Sequence, residues 1–175
     1  MNANLKKPIT WVEDAIQHLG MREIRGVNHN KNILRWLKEL GAWWSDDETP
    51  WCGTFVAHCL SSTNRAIPKH WYRAKAYGEY GTVLKQPAYG AIGVMNRKGG
   101  GHVCFIVGET TDGKNLVVIG GNQGDRVCYA EYPKSRFTAY VWPPRSNGVN
   151  SFPYDYRYDL PKYEKGDYKT PVSEA

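Results

Sequence analysis

Cys52, His102 and Asn122 are the residues whose types and settings best suit covalent chemistry. A cysteine attacks carbonyl carbon as its thiolate, needs a base to take its proton, and works best when a third polar group holds that base. Thr49-Pro50 reads as a helix start, with Thr as N-cap and Pro at the first helical position, which places Cys52 in the first turn. Free backbone N–H groups and the helix dipole there favour a thiolate, and the same N–H groups suit a developing oxyanion. The plainer alternative is that Cys52 is one more core residue. His102 opens a strand after Gly99-Gly100-Gly101, a run that lets another backbone come close. If the following hairpin turns at Asp112-Gly113, paired residue numbers sum to about 225, so His102 lies opposite residue 123, give or take one, and Asn122 falls beside it across the ladder. There its amide oxygen can accept from a ring N–H and fix the tautomer. The competing reading of Asn122 is a turn residue after Gly120-Gly121.

The elements that must carry these residues come in two blocks. Thr10 and Glu13 fit a capping box, and Trp11, Val12, Ala15, Ile16 and Leu19 share one helical face closed by Gly20. A second helix is predicted over 32–40. In the third, Cys52, Phe55, Val56, Cys59 and Leu60 recur as a buried face, and the helix ends before Pro68. From about Ala91 the pattern turns to strands: 91–95, 102–107, 116–119, 126–132 and 137–142. Helices followed by a meandering antiparallel sheet of five to six strands make an α+β fold. Residues 146–175 are rich in Tyr and poor in aliphatics, and read as a tail that is extended or partly disordered, beyond a domain at 8–145.

The chain has 175 residues, a formal charge of +6 and 41% hydrophobic residues, which suits one domain with a real core. No apolar run reaches the ~18 residues of a membrane helix. The N-terminus lacks a secretory signal pattern, so the expectation is synthesis in the host cytoplasm with reduced cysteines. Basic residues such as Lys69, Arg73, Lys75, Arg97 and Lys98 are scattered along the chain, which disfavours specific nucleic-acid binding. The excess charge also suits an acidic polymer such as a bacterial wall. No C-x-x-C spacing supports a zinc site.

The runs Asp47-Glu48-Thr49-Pro50-Trp51-Cys52, Gly101-His102-Val103 and Gly120-Gly121-Asn122-Gln123, in that order, resemble the CHAP family (cysteine, histidine-dependent amidohydrolase/peptidase), related to NlpC-type peptidases. The resemblance covers roughly Pro8 to Trp142 and implies a papain-like fold with helices packed on the sheet. It implies peptidoglycan hydrolysis: an endopeptidase cutting the stem peptide, or an amidase cutting the bond to the sugar. A chain of this size would be a phage lysis enzyme or a delivered effector that acts on the cell wall. Cys52 matches the nucleophile, His102 the base and Asn122 the polar third residue. Many members carry a Glu two residues before that Asn, where this chain has Gly120. Many papain-like sites place a Gln before the Cys, where this chain has Trp51.

Substrate contacts are expected from Trp51, Asp47, Glu48, Trp71, Arg73 and Gln123. The acidic run Asp46-Asp47-Glu48 suits a substrate amine, and its clustered oxygens would permit calcium, although the reaction needs no cofactor. Peptidoglycan is the expected partner, with no nucleic acid, no stable membrane insertion and a monomeric state. The alternatives are an acyltransferase or deamidase with the same residues, and an inactive wall-binding phage structural protein.

Overall fold

The computed structural model describes residues 8–167. Three helices, α1 (Thr10–Gln17), α2 (Lys31–Glu39) and α3 (Cys52–Ser61), precede the sheet strands. These are β1 (Thr82–Leu84), β2 (Ile92–Arg97), β3 (Gly100–Thr110), β4 (Asn115–Gly120), β5 (Cys128–Pro133), β6 (Phe137–Trp142) and β7 (Lys162–Tyr163). They form one seven-stranded sheet in the order β1-β6-β2-β3-β4-β5, antiparallel throughout this path, with β7 running parallel to β3. The α+β class is as the pattern of residues predicts. The two extra strands, β1 and β7, have three and two residues, too short for alternation to register.

α3 is the centre of the molecule. It touches α1 and α2 on one side and β3 and β4 on the other. Cys52 to Ala57, Cys59 and Leu60 are all buried, so the single apolar face expected from spacing extends around nearly the whole helix. Trp11, Val12 and Ala15 of α1 and Ile33, Trp36 and Leu37 of α2 complete that core. Each large side chain so buried contributes about 2 kcal/mol relative to exposure. Among the described residues no helix is long and apolar enough to cross a membrane.

The caps differ from the sequence reading. Ile9, not Thr10, precedes α1, and no side chain caps it. Asn30 caps α2, its Oδ1 accepting from the N–H of Asn32 at 2.9 Å. α3 begins at Cys52 with Trp51 before it, two residues later than Thr49-Pro50 implies, because Thr49 N–H is held by Asp46 Oδ1 at 2.6 Å in a turn of its own. Residues 146–167 run along the surface, bury Arg157 and Leu160, and end in β7. The last eight residues of the expected tail lie outside the described part.

Candidate active site

Three elements meet at the N-terminus of α3. Gly53 lets the 71–72 segment cross the helix: a Cβ there would lie 2.5 Å from the Trp71 carbonyl oxygen. The Tyr77 hydroxyl sits 2.9 Å from the carbonyl oxygens of both Gly53 and Trp71, tying the crossing down. On the sheet side, Gly121 packs against α3, where a Cβ would meet Trp51 and Phe55 at 2.7 Å. Small residues therefore bring the helix start, the crossing segment and the end of β4 into one place.

Cys52 is the first residue of α3, nearly buried, and lines an open cleft of about 490 Å³. The backbone N–H groups of Val103 and Gly53 lie near enough to its sulfur to favour the thiolate. The sulfur thus lies against the backbone of the residue that follows His102 on β3. Burial nevertheless pushes the Cys52 thiol up, and these N–H groups with the Arg97 charge only partly offset it. Burial thus works against the thiolate that a helix start favours.

His102 is fully buried on β3, opposite Met95 of β2. Its Nε2 lies 2.9 Å from Gln123 Oε1. Gln123 Nε2 donates to the Cys128 carbonyl at 2.7 Å, which fixes the amide with its oxygen towards the ring. The Tyr132 hydroxyl donates to the same oxygen at 3.3 Å. An acceptor facing Nε2 puts the proton there and leaves a lone pair on Nδ1, a buried atom without a hydrogen-bond partner. Burial first, then the Arg97 and Arg136 charges, hold His102 down to about 4, against the lift from Gln123. The resting pair is a neutral thiol and a neutral imidazole.

Asn122 does not take the expected place beside the ring. The β3–β4 register shifts at a bulge between Ile106 and Gly108, and the ladder stops at Phe105↔Ile119. Asn122 then adopts a left-handed φ of 55°, and its neighbour Gln123 turns inward instead. A Cβ on Gly120 would meet Gln123 Oε1 at 2.9 Å, so the Gln side chain fills the space a residue at 120 would need. Asn122 lines the cleft with Cys52.

Residues 44–122 match the family model of the CHAP domain. Over that stretch the chain is similar to a CHAP domain. The matched stretch includes Cys52, His102 and Asn122 and stops one residue before Gln123. No curated protein and no solved structure matches the chain. A CHAP domain points to a hydrolase with amidase or peptidase chemistry on peptidoglycan.

Around this CHAP-like centre, Arg73 lines the cleft and the other expected substrate contacts do not. Asp47 is fully buried and accepts from the N–H groups of Ile24 at 2.7 Å and Asn30 at 2.6 Å, with His29 Nδ1 at 2.9 Å. Glu48 accepts from the Gly26 N–H at 3.1 Å. Asp46 holds Thr49 in a turn of its own, while Asp47 and Glu48 both bind the 24–30 loop, so the run anchors these backbone segments. Trp51 is buried with its indole N–H on Glu23, and Trp71 stacks on Trp44. Gln123 sits behind His102.

The sequence reading missed a gathering of charge. Arg73, Lys75, Arg97 and Lys98 all line the cleft. Their spacing along the chain looks scattered, but the 74–77 turn packs against Gly101, and this brings the two basic pairs to one rim.

Proposed function

We propose that this protein is a cysteine-dependent peptidoglycan hydrolase with Cys52 as nucleophile and His102 as base. The observation that carries the reading is the pairing of one cleft-lining cysteine with one constrained histidine. Cys52 lines a cleft at a helix start, with its sulfur against Val103, while the neighbouring His102 has Nε2 held by Gln123 and Nδ1 free.

His102 Nδ1 takes the thiol proton as the sulfur attacks the carbonyl carbon of a wall amide. The C–N bond then breaks, the leaving amine takes the proton from His102, and a thioester forms on Cys52. Water activated by His102 hydrolyses the thioester and restores the thiol. Because both groups rest neutral, proton transfer accompanies attack instead of preceding it. The N–H groups of Val103 and Gly53, which lie near the sulfur, stabilise the thiolate as it develops. We assign no cofactor to this cycle. The bond cut is an amide of the stem peptide or the sugar–peptide amide, and the setting we assign is wall lysis by a phage enzyme or a delivered effector. The cell-wall location follows from the substrate class.

Digestion of purified peptidoglycan with the native protein and with Cys52→Ala tests this, with products read by mass spectrometry. New fragments from the native protein alone are expected, and their masses name the bond. Intact wall in both reactions contradicts the proposal.

A further inference from the structure

The rim of the Cys52 cleft is more specific than a generic peptide groove. Its lining includes Arg73, Lys75, Arg97 and Lys98 and no Asp or Glu. Among the described residues none of the four forms an ion pair. Arg73, Lys75 and Lys98 are exposed, while Arg97 is half-buried near the end of β2, opposite Gly100 and two residues beyond the partner of His102. Arg97 is close enough to bias both Cys52 and His102. The carboxylates nearest in sequence, Asp46 to Glu48, are held on other backbone segments and leave this charge uncompensated.

Building on the hydrolase reading above, we propose that the cleft selects a substrate with a free carboxylate beside the scissile amide, seated on Arg97 with Arg73, Lys75 and Lys98 around it. A planar guanidinium matches a carboxylate with two parallel hydrogen bonds, and a concave cationic rim concentrates anions at its floor. Wall stem peptides supply that chemistry, since their acidic residues and chain ends bear carboxylates close to the amides that hydrolases cut. The same contact serves the reaction. Positive charge opposes protonation of His102, and a carboxylate placed against Arg97 offsets that charge when the imidazole must accept the thiol proton. The amine-binding role expected of the acidic run gives way to a site of opposite sign.

Two measurements test this separately from hydrolysis itself. The first compares alkylation of Cys52 by iodoacetate and by neutral iodoacetamide, followed by peptide mass spectrometry. The ratio of the two rates should exceed that of a free thiol by about tenfold. It should fall towards the free-thiol ratio in Arg97→Gln and at high salt, and in smaller steps in Lys75→Gln and Lys98→Gln, whose side chains are exposed. A ratio equal to that of a free thiol overturns the proposal. The second compares digestion of native peptidoglycan with wall whose carboxylates have been converted to carboxamides. Native wall should be cut about tenfold faster. Equal rates on both walls overturn the carboxylate requirement even if the reagents discriminate. Digestion of neither wall overturns the hydrolase reading and the substrate claim with it, while the reagent ratio still reports whether the cleft selects anions.

Discussion

The two ends of α3 hold the same chemical types and put them to different uses. At its start, Cys52 faces the cleft, and His102 stands on the neighbouring strand with one ring nitrogen unpartnered. Near its end, Cys59 is fully buried, and His58 approaches Asp14 to 3.4 Å, with His18 at 3.7 Å from the same oxygen. Burial and the adjacent Asp14 push the Cys59 thiol well up, which makes it inert. Asp14 is itself raised by burial, but its His18 and His58 contacts outweigh this and hold it below the usual carboxylate range. The second cluster ties α1 to α3. A cysteine and a histidine together therefore do not define a reactive pair. Access to a cleft and an unpartnered base nitrogen do.

The largest contrast should come from the two cysteines. Cys52→Ala should lower wall digestion by more than about 10⁴-fold, the scale of losing a nucleophile, while Cys59→Ala should leave the rate within a factor of a few. A Cys59→Ala variant that is folded but inactive would break the distinction. Fragment release per unit of enzyme, with circular dichroism as a folding control, decides between them.

The next effect belongs to the group behind His102. Gln123→Met keeps the volume and removes the acceptor, which frees the imidazole to change tautomer. A fall in kcat of about 10²-fold is expected, with KM little changed. Asn122→Ala should cost less than that, because Asn122 does not hold the ring. The opposite order would return the orienting role to Asn122.

A third prediction concerns acid. His102 is held at about 4 in the fold against an ordinary 6.5. The unfolded chain therefore binds the extra proton between those values, and stability falls as pH drops from 6.5 to 4. The loss amounts to about 3 kcal/mol across that window. His102→Gln should remove that share of the acid sensitivity, seen in denaturant melts at pH 7 and pH 4.5. Equal pH slopes for the two proteins would contradict the buried neutral imidazole.

The smallest expected effect lies at the far end of α3. Asp14→Asn should cost about 1 kcal/mol in stability by weakening the contacts to His18 and His58, with wall digestion preserved. A loss of activity without a loss of stability would mean that this cluster takes part in the reaction.

Cys52 and His102 were legible in the sequence because each carries its own local signal, a helix start for one and a glycine run before a strand for the other. The helix–sheet order was legible for the same reason: its periodicities are long enough to read. The hairpin estimate points to residue 123 within one residue, which does not separate Asn122 from Gln123; the left-handed turn at Asn122 decides between them by leaving Gln123 turned inward to the ring. The cationic rim was invisible for a different reason. Arg73 and Lys75 lie more than twenty residues from Arg97 and Lys98, and only the packing of the 74–77 turn on Gly101 joins them. Asp47 read as a substrate contact because an acidic run suits an amine, yet two backbone N–H groups and His29 satisfy it in full burial.

The central claim is that Cys52, alone among four free cysteines, does the chemistry. The most direct test is to alkylate the folded native protein stepwise with neutral iodoacetamide, map each cysteine by mass spectrometry and measure wall digestion at every step. Activity should disappear in proportion to modification of Cys52 while Cys59 and Cys104 remain unmodified. Continued digestion by protein fully modified at Cys52 would contradict the account.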